Sequence, residues 1–239
     1  MDYIISFLCL KKFVIEYRVN IPLELLKFFK RGKMTENIKE DLLYWAKRTY
    51  NARMVPGTSG NISVKENNKI YLSKSGVCLF DMKEDEISEL DLEGNLLNGV
   101  KPSSEGKMHF KIYKKRPDIN AIIHIHCPYV TSFAVCKKEM NEPILPEFIY
   151  NFNTIPSAKY ACPGSDDLAD ETSKYFEDGH DAVLMQNHGL VAGAATLKET
   201  FYILESIQAY AKTYFAAKFL GEINHLSEDE IEEIQNLKH

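Results

Sequence analysis

Short runs of β-forming residues alternate with helix-forming segments from about residue 34 onward, and this alternation constrains the fold more than any other feature of the sequence. The predicted strands cover residues 62–65, 70–73, 121–126, 181–186 and 190–193. The predicted helices cover residues 104–116, 128–137, 165–177, 197–220 and 227–237, and another begins near residue 35. Because strands and helices alternate without internal repeats, we predict a single mixed α/β domain.

The length of the chain, 239 residues, is enough for one domain and at most two. Residues 1–33 combine apolar and basic side chains without a regular period, unlike the rest of the chain. We predict that they form an N-terminal extension and that the main domain spans residues 34–239, with Thr35 as the cap of its first helix. The alternative is an N-terminal helix that packs against the domain.

Composition and charge exclude several classes of protein. With 45% hydrophobic and 26% charged residues, the chain is neither disordered nor collagen-like. The formal net charge of −5 provides no overall positive field for non-specific binding of nucleic acids. The five cysteines form no Cys-x-x-Cys pair, and we find neither a signal peptide nor an apolar run of the roughly 20 residues that span a bilayer. We expect a soluble, cytoplasmic protein with reduced thiols that binds neither nucleic acid nor a membrane.

Two histidines, His124 and His126, lie two positions apart within a predicted strand. Side chains at this spacing share one face of a strand, so the two imidazoles converge. His188 follows another apolar strand, and three neutral imidazoles are a common ligand set for a catalytic zinc ion. The alternative is that all three are core histidines, because periodicity alone cannot bring His188 to the pair. The other four histidines, His109, His180, His225 and His239, are predicted to lie at the surface.

Three segments rich in glycine and hydroxyl residues are candidate anion sites. They are the turn at 57–61, the turn at 73–76, and the Pro-Ser-Ser-Glu segment at 102–105 that precedes a predicted helix. Backbone N–H groups in such turns and at helix N-termini bind phosphate or carboxylate groups. Each segment is alternatively an ordinary turn or helix cap.

Taken together, six short motifs resemble the class II aldolase/adducin family. They are Gly-Thr-Ser-Gly-Asn-Ile-Ser at 57–63, Ser-Gly at 75–76, Pro-Ser-Ser-Glu at 102–105, His-Ile-His at 124–126, Pro-Gly-Ser at 163–165 and Gln-Asn-His-Gly-Leu at 186–190. They occur in the order and at the spacing of the family, over about residues 35–225. Within the family the chain looks most like the L-fuculose-1-phosphate aldolase group.

The resemblance implies a three-layer α/β/α domain with a central mixed sheet, which assembles into homotetramers with active sites at the subunit interfaces. It implies one Zn²⁺ per subunit, held by His124, His126 and His188. Glu105 matches the acid/base carboxylate of the family, which also binds the metal when substrate is absent. The positions that match the family's contacts to the substrate phosphate are Thr58, Gly60, Asn61, Ser75, Gly76, Ser103 and Ser104.

The implied function is a Zn²⁺-dependent aldolase that cleaves a ketose 1-phosphate, such as L-fuculose 1-phosphate, into dihydroxyacetone phosphate and an aldehyde. The alternatives on the same site are a methylthioribulose-1-phosphate dehydratase and a pentulose-phosphate 4-epimerase. A non-catalytic, adducin-like scaffold is a further alternative. Glu105 stands where the epimerases carry Asp, which favours an aldolase or dehydratase. A scaffold is disfavoured because all the candidate metal ligands are present.

Two departures from the family leave the sugar open. In the fuculose enzymes a tyrosine of a neighbouring subunit enters the active site from the stretch that aligns with residues 143–150. This chain has Glu147 and Phe148 at that place, with Tyr150 slightly later. A C-terminal tail supplies a second tyrosine in those enzymes, and we expect this chain, which ends at His239, to fall short of it.

Overall fold

The structure, a computed structural model, describes residues 37–237. The predicted N-terminal extension (residues 1–33), the predicted cap Thr35 and the predicted surface residue His239 lie outside the described residues. The domain boundary near residue 34 therefore stays a prediction.

Seven strands form one sheet, and its central position is taken by the strand that carries His124. The strands are β1 (Asn61–Glu66), β2 (Lys69–Ser73), β3 (Ile87–Asp91), β4 (Ala121–Ile125), β5 (Ser157–Ala158), β6 (Ala182–Met185) and β7 (Gly189–Ala194). Their order across the sheet is β3-β2-β1-β4-β7-β6-β5. Only β5 and β6 pair in parallel, and every other pair is antiparallel. The predicted central mixed sheet is confirmed.

Helices cover both faces of this sheet. They are α1 (Ile38–Asn51), α2 (Gly106–Lys115), α3 (Pro128–Val135), α4 (Pro146–Asn151), α5 (Asp166–Glu177), α6 (Leu197–Leu220) and α7 (Glu228–Asn236), with a short 3-10 helix at Glu84–Glu86. Apolar residues of α1, α3 and α6 pack on one face of the sheet. Apolar residues of α2 and α5 pack on the other face. This arrangement confirms the predicted three-layer α/β/α fold.

The alternation of side chains along β4 explains how a histidine enters the interior of the sheet. Ile123 and Ile125 lie in the apolar core under α1, α3 and α6. Ile122 lies in the core on the opposite face, and His124 points to that same side because successive side chains alternate. His124 is fully buried, so any function it has depends on partners inside the protein.

Most predicted elements are confirmed, with shifts at their ends. The long helix α6 has the predicted bounds, and Ser165 and Ser227 cap α5 and α7. The predicted strand at 121–126 ends at Ile125, and the predicted helix at 104–116 begins at Gly106 because the residues before it form a turn. The strand β3, the helix α4 and the two-residue strand β5 were not predicted from the sequence. Within residues 37–237, no helix is both long enough and apolar enough to cross a membrane.

Candidate active site

Three histidines from different parts of the chain meet beside the end of β4. His124 belongs to β4, His126 follows its last residue, and His188 precedes β7. The antiparallel pairing of β4 with β7, which places Ile125 opposite Leu190, brings His188 to the other two. The ring centroids lie 4.6, 4.8 and 5.0 Å apart, and one potential ligand atom from each ring lies within 4.8 Å of the others.

The backbone around His188 is shaped by two unusual residues. Asn187 adopts a left-handed conformation with φ of 58°, which turns the chain sharply between β6 and β7. Gly189 has no room for a side chain, since an added Cβ would collide with the carbonyl oxygen of Ile125. The same Cβ would lie 3.0 Å from the His126 ring and 3.2 Å from the His124 ring. Glycine at this position therefore lets the two strands approach closely enough for the histidines to meet.

Gly189→Ala is expected to lower the free energy of unfolding by at least about 2 kcal/mol, because the new methyl group meets rigid backbone in a closely packed place. Gly193→Ala in the same strand is the matched control. Its added Cβ would lie 2.9 Å from the Ile119 side chain, which can move aside. Urea unfolding of both variants measures the difference, and equal losses would contradict the role given to Gly189.

A carboxylate completes the cluster. Glu105 lies in the turn that leads into α2 and is only 6% exposed. Its Oε2 lies 3.1 Å from His124 Nε2, and its Oε1 lies 3.1 Å from His188 Nε2. The side-chain amide of Asn61 donates to Oε2 at 3.2 Å. The structure thus brings together all four residues that the sequence proposed as metal ligands.

The protonation states of the cluster follow from burial and neighbouring groups. Burial raises the pKa of Glu105, but the interactions with His124 and His188 and the Asn61 hydrogen bond outweigh it, so its pKa lies well below the ordinary value. Burial lowers the pKa of His124 to about 3, so this imidazole is neutral near pH 7. Its Nδ1 lies 2.9 Å from the carbonyl oxygen of Leu190 and must carry the hydrogen, which leaves the Nε2 lone pair facing the cluster.

The donor set fits a divalent metal ion. Three imidazoles and one ionised carboxylate are typical ligands of Zn²⁺ and related first-row metals. His126 Nε2 lies 2.7 Å from His124 Nε2, so two nitrogen atoms face the same point. A neutral His124, oriented by a backbone carbonyl through its other nitrogen, is the arrangement expected of a metal-binding histidine.

The loops proposed to hold a phosphate adjoin the carboxylate. The backbone N–H of Ser103 donates to the carbonyl of Ser73 at 3.0 Å, and that of Ser75 donates to the carbonyl of Lys101 at 3.2 Å. Segments 73–76 and 101–104 therefore run side by side, and the Glu105 backbone N–H donates to Ser103 Oγ at 3.3 Å, which joins the second segment to the carboxylate residue. The roles proposed for Ser75, Gly76, Ser103 and Ser104 stay predictions. Gly60 packs against the carbonyl of His124, with φ of 74°, while Thr58 lies exposed in the preceding turn.

Asn61 has a different environment from the other proposed phosphate contacts. It is 4% exposed, and its side-chain amide is bonded at both ends within the protein. Nδ2 donates to Glu105, and Oδ1 accepts from His109 Nε2. The structure therefore places the Asn61 side chain between the carboxylate and a fourth histidine.

The prediction made for this fourth histidine, His109, is wrong. His109 was predicted to lie at the surface, but it is fully buried and bonds to Asn61 and Ser63. His109 follows Glu105 by four residues, a spacing that puts two side chains on one face of a helix, and this signal could have identified it. His225 is exposed as predicted, and His180 is partly exposed.

The stretch aligned with the tyrosine of a neighbouring subunit also has a clear structural role. Phe148 is 2% exposed and stacks on Tyr210 of α6, with ring centroids 4.0 Å apart. Glu147 lies in the first turn of α4. Phe148 therefore belongs to the core of its own chain and contributes no group to a site.

Acidification of the metal-free protein is expected to destabilise it through His109. Burial lowers the pKa of His109 to about 3, with His124 lowering it further and Glu105 raising it, whereas an unfolded histidine has a pKa of about 6.5. Between these values only the unfolded chain binds the proton, so the free energy of unfolding falls as pH falls, by up to about 1.4 kcal/mol per pH unit for this group. Above about pH 6.5, where His109 is neutral in both the folded and the unfolded chain, this loss of stability is absent.

Urea unfolding at a series of pH values measures this effect. His109→Gln is expected to show a shallower loss of stability than the wild type between about pH 6.5 and pH 4.5, because it removes one buried titrating group. Equal pH dependence in the two proteins would contradict the assignment.

Comparison with known proteins places this site in a family. Residues 40–215 match the family described as Class II Aldolase and Adducin N-terminal domain. An L-fuculose phosphate aldolase of Methanocaldococcus jannaschii is 39% identical over 174 residues, covering 73% of this chain and 93% of the relative. A 5-deoxy-D-ribulose 1-phosphate aldolase of Bacillus thuringiensis is 35% identical over 200 residues, covering 82% and 92%.

Two further similarities extend the comparison. A 3-oxo-tetronate 4-phosphate decarboxylase of Haemophilus influenzae is 30% identical over 210 residues, covering 85% of this chain and 99% of the relative. A solved structure of an L-fuculose 1-phosphate aldolase superposes with a TM-score of 0.77 at 33% identity, covering 86% and 97%. The predicted resemblance to the fuculose-phosphate aldolase group is confirmed. The chain belongs to the class II aldolase and adducin family and is an enzyme of its aldolase type.

Proposed function

We propose that the protein is a Zn²⁺-dependent aldolase that cleaves a ketose 1-phosphate into dihydroxyacetone phosphate and an aldehyde. The observation that carries this proposal is the buried Glu105 carboxylate, held by two members of a three-histidine cluster beside two serine-containing loops. The names of the aldolase relatives support L-fuculose 1-phosphate or a 5-deoxypentulose 1-phosphate as the substrate.

The histidine cluster provides the place for charge stabilisation. A divalent metal ion held by His124, His126 and His188 would supply positive charge beside the oxygen atoms on which negative charge develops during carbon–carbon cleavage. Two features of His124 favour metal binding: burial keeps its imidazole neutral, and the hydrogen bond to Leu190 directs its Nε2 into the cluster. No Schiff-base lysine is then required.

Glu105 is the residue that moves a proton. In condensation Glu105 removes a proton from C3 of dihydroxyacetone phosphate, and the C4 alkoxide that arises as the C3–C4 bond forms takes up a proton from solvent. In cleavage these transfers reverse: the C4 hydroxyl loses its proton to solvent as the C3–C4 bond breaks, and protonated Glu105 returns its proton to C3. Its low pKa and its burial keep it ionised and desolvated before the reaction in the condensation direction. The hydrogen bond from Asn61 fixes one carboxylate oxygen while the other faces His188.

The loops at 73–76 and 101–104 provide orientation. Serine hydroxyls and the backbone of glycine-containing turns bind a phosphate dianion without lysine or arginine. Local binding of the phosphate by these loops is needed because the net charge of −5 gives the protein no general attraction for anions. A phosphate bound at these loops would hold the reacting carbon atoms at a fixed position relative to Glu105.

The test is a panel of ketose 1-phosphates incubated with metal-loaded protein, with dihydroxyacetone phosphate detected by an NADH-coupled dehydrogenase. We expect release of dihydroxyacetone phosphate from at least one sugar, loss of activity on chelation, and recovery on addition of Zn²⁺. Absence of the three-carbon product from every sugar would contradict the proposal.

The same panel separates the other candidate reactions. The decarboxylase relative favours a second candidate, loss of CO₂ from a 3-oxo acid phosphate, because that reaction leaves a similar negative charge for the metal to stabilise. A 3-oxo-tetronate 4-phosphate is added to the panel to test it. Loss of CO₂ from this four-carbon acid leaves dihydroxyacetone phosphate, so release of CO₂ together with dihydroxyacetone phosphate and without an aldehyde identifies the decarboxylase. Loss of water identifies a dehydratase, and inversion at C4 identifies an epimerase.

We also propose a homotetramer. Phe219 and Leu220 at the end of α6 are 93% and 90% exposed, and large apolar side chains in this state favour a protein–protein contact. Light scattering is expected to give a mass four times the chain mass of 27.4 kDa. A monomeric mass would contradict this assembly.

A further inference from the structure

A chain of buried hydrogen bonds runs from Glu105 into the space between β1 and α2. Asn61 Nδ2 donates to Glu105 Oε2, and Asn61 Oδ1 pairs with His109 Nε2. His109 Nδ1 lies 2.6 Å from Ser63 Oγ, which lies 2.7 Å from the Tyr113 hydroxyl. None of the five residues is more than 6% exposed, so water does not compete for these bonds.

The carboxylate at one end determines the direction of every bond. An ionised carboxylate only accepts hydrogen bonds, so Asn61 must present its NH₂ group to Glu105 and its carbonyl oxygen to His109. His109 must then carry its hydrogen on Nε2 and accept from Ser63 at Nδ1. Ser63 in turn accepts from Tyr113. Every donor in the chain therefore points toward the carboxylate.

His109 helps to hold the Asn61 amide in this orientation, because its Nε2–H donates to the Asn61 carbonyl oxygen. A rotation of 180° would direct the Asn61 carbonyl oxygen at the Glu105 carboxylate and its NH₂ group at the His109 N–H. Both contacts would be repulsive. The hydrogen bond between Ser63 Oγ and His109 Nδ1 orients the imidazole ring, while the carboxylate at the other end of the chain decides which ring nitrogen carries the hydrogen.

The spacing of these residues in the sequence places them on two facing surfaces, one on β1 and one on α2. Asn61 and Ser63 are two apart on β1 and share one face of the strand. Glu105, His109 and Tyr113 follow one another at intervals of four on α2 and the turn before it, which puts them along one face of the helix. Each hydrogen bond in the chain joins a residue on the face of β1 to a residue on the face of α2 or the turn before it.

We propose that His109 is a positioning residue of the active site, which acts through Asn61 to hold the Glu105 carboxylate against the histidine cluster. Its effect on turnover rests on the proposed aldolase function, whereas its effect on metal binding does not. His109 touches no metal ligand in the cluster itself, so removing it leaves the three histidines in place.

The test compares His109→Leu, which can neither donate nor accept, with His109→Gln, which retains one donor and one acceptor. His180→Leu, the same change at a partly exposed histidine away from the site, is the matched control. Co²⁺ titration monitored by visible absorption gives metal affinity and reports the ligand environment. Turnover of the ketose 1-phosphate that the wild type cleaves gives kcat and KM, and thermal unfolding gives stability.

We expect His109→Leu to weaken Co²⁺ binding and to lower kcat by at least about tenfold each, with KM changed by less than about threefold. The Co²⁺ spectrum should also change. His109→Gln should recover most of both losses, and His180→Leu should match the wild type. A His109→Leu protein that differs from the wild type in melting temperature alone would overturn the proposal.

Two further results keep the test decisive. If His109→Leu does not fold, Ser63→Ala replaces it, because it keeps the His109 side chain but removes the hydrogen bond that orients its ring. An unchanged Co²⁺ affinity and spectrum in Ser63→Ala would then overturn the proposal. If the wild type cleaves no sugar in the panel, the aldolase proposal fails, and the Co²⁺ titrations still decide the role of His109.

Discussion

Glu105→Gln is expected to lower the rate of dihydroxyacetone phosphate release by at least about a hundredfold, because proton transfer by a positioned side chain contributes about that much or more. Glutamine has nearly the same shape as glutamate and can still accept the hydrogen bond from Asn61. It cannot take up or return a proton, and it removes the negative charge that lies 3.1 Å from both His124 and His188. The loss should therefore appear in kcat.

Three measurements make this result specific. Thermal unfolding and metal content are measured for the same preparation, so that a loss of fold or of metal is recognised. Glu177→Gln is the matched control, since Glu177 is an exposed residue at the end of α5 that pairs with Lys115 at 2.7 Å. The control should behave as the wild type. A Glu105→Gln enzyme that keeps more than about a tenth of the wild-type kcat would show that another group moves the proton.

His124→Ala is expected to remove both bound metal and turnover. His124 is fully buried at the centre of the sheet, and it contacts Glu105, His126 and the Leu190 carbonyl. Its removal takes away one of the three imidazole ligands and leaves the Leu190 carbonyl and the Glu105 carboxylate each without one partner. We expect turnover to fall at least about a hundredfold and the free energy of unfolding to fall by about 1–3 kcal/mol.

Metal analysis, turnover and urea unfolding together check this prediction. His225→Ala is the control, because His225 is exposed and bonds to Glu142 at 2.9 Å, far from the cluster in sequence. It should keep the metal and the activity of the wild type. Wild-type metal content and wild-type activity in His124→Ala would contradict the role given to His124.

The two variants also distinguish two roles within one cluster. Loss of His124 should reduce metal content, whereas loss of the Glu105 charge should reduce turnover more than metal content if three imidazoles suffice to hold the ion. A Glu105→Gln protein that retains its metal and has lost its activity would assign proton transfer to Glu105 independently of its contact with the metal.

Local patterns in the sequence were sufficient for several parts of this protein. The alternation of isoleucine and histidine at 121–126 predicted that His124 and His126 converge, and the structure places their rings 4.6 Å apart. The predicted helix at 165–177 begins after Ser165, which caps α5, and the bounds of α6 were predicted correctly. These features depend on residues that are close in the chain, since strand period, capping and helix length are local properties.

Other parts depended on contacts between distant segments. The pairing of β4 with β7 brings His188 to the histidine pair, and the turn before α2 delivers Glu105 between them. His109 was predicted to lie at the surface because it belongs to no motif, yet its face of α2 packs on β1. The short elements α4 and β5 are stabilised by packing and pairing with distant residues, which a local pattern does not contain.

The sequence alone therefore indicated which residue types form the site, but it did not indicate which of them lie together in space. Glycine at 189, a histidine pair on a strand and a Ser-Ser-Glu segment before a helix each have a local chemical meaning. Which strand lies beside which, and which helix face meets which strand face, depends on the free energy of packing the whole sheet between two layers of helices. That packing joins Glu105 to Asn61 and Asn61 to His109, and so completes a site whose parts lie up to 127 positions apart, from Asn61 to His188.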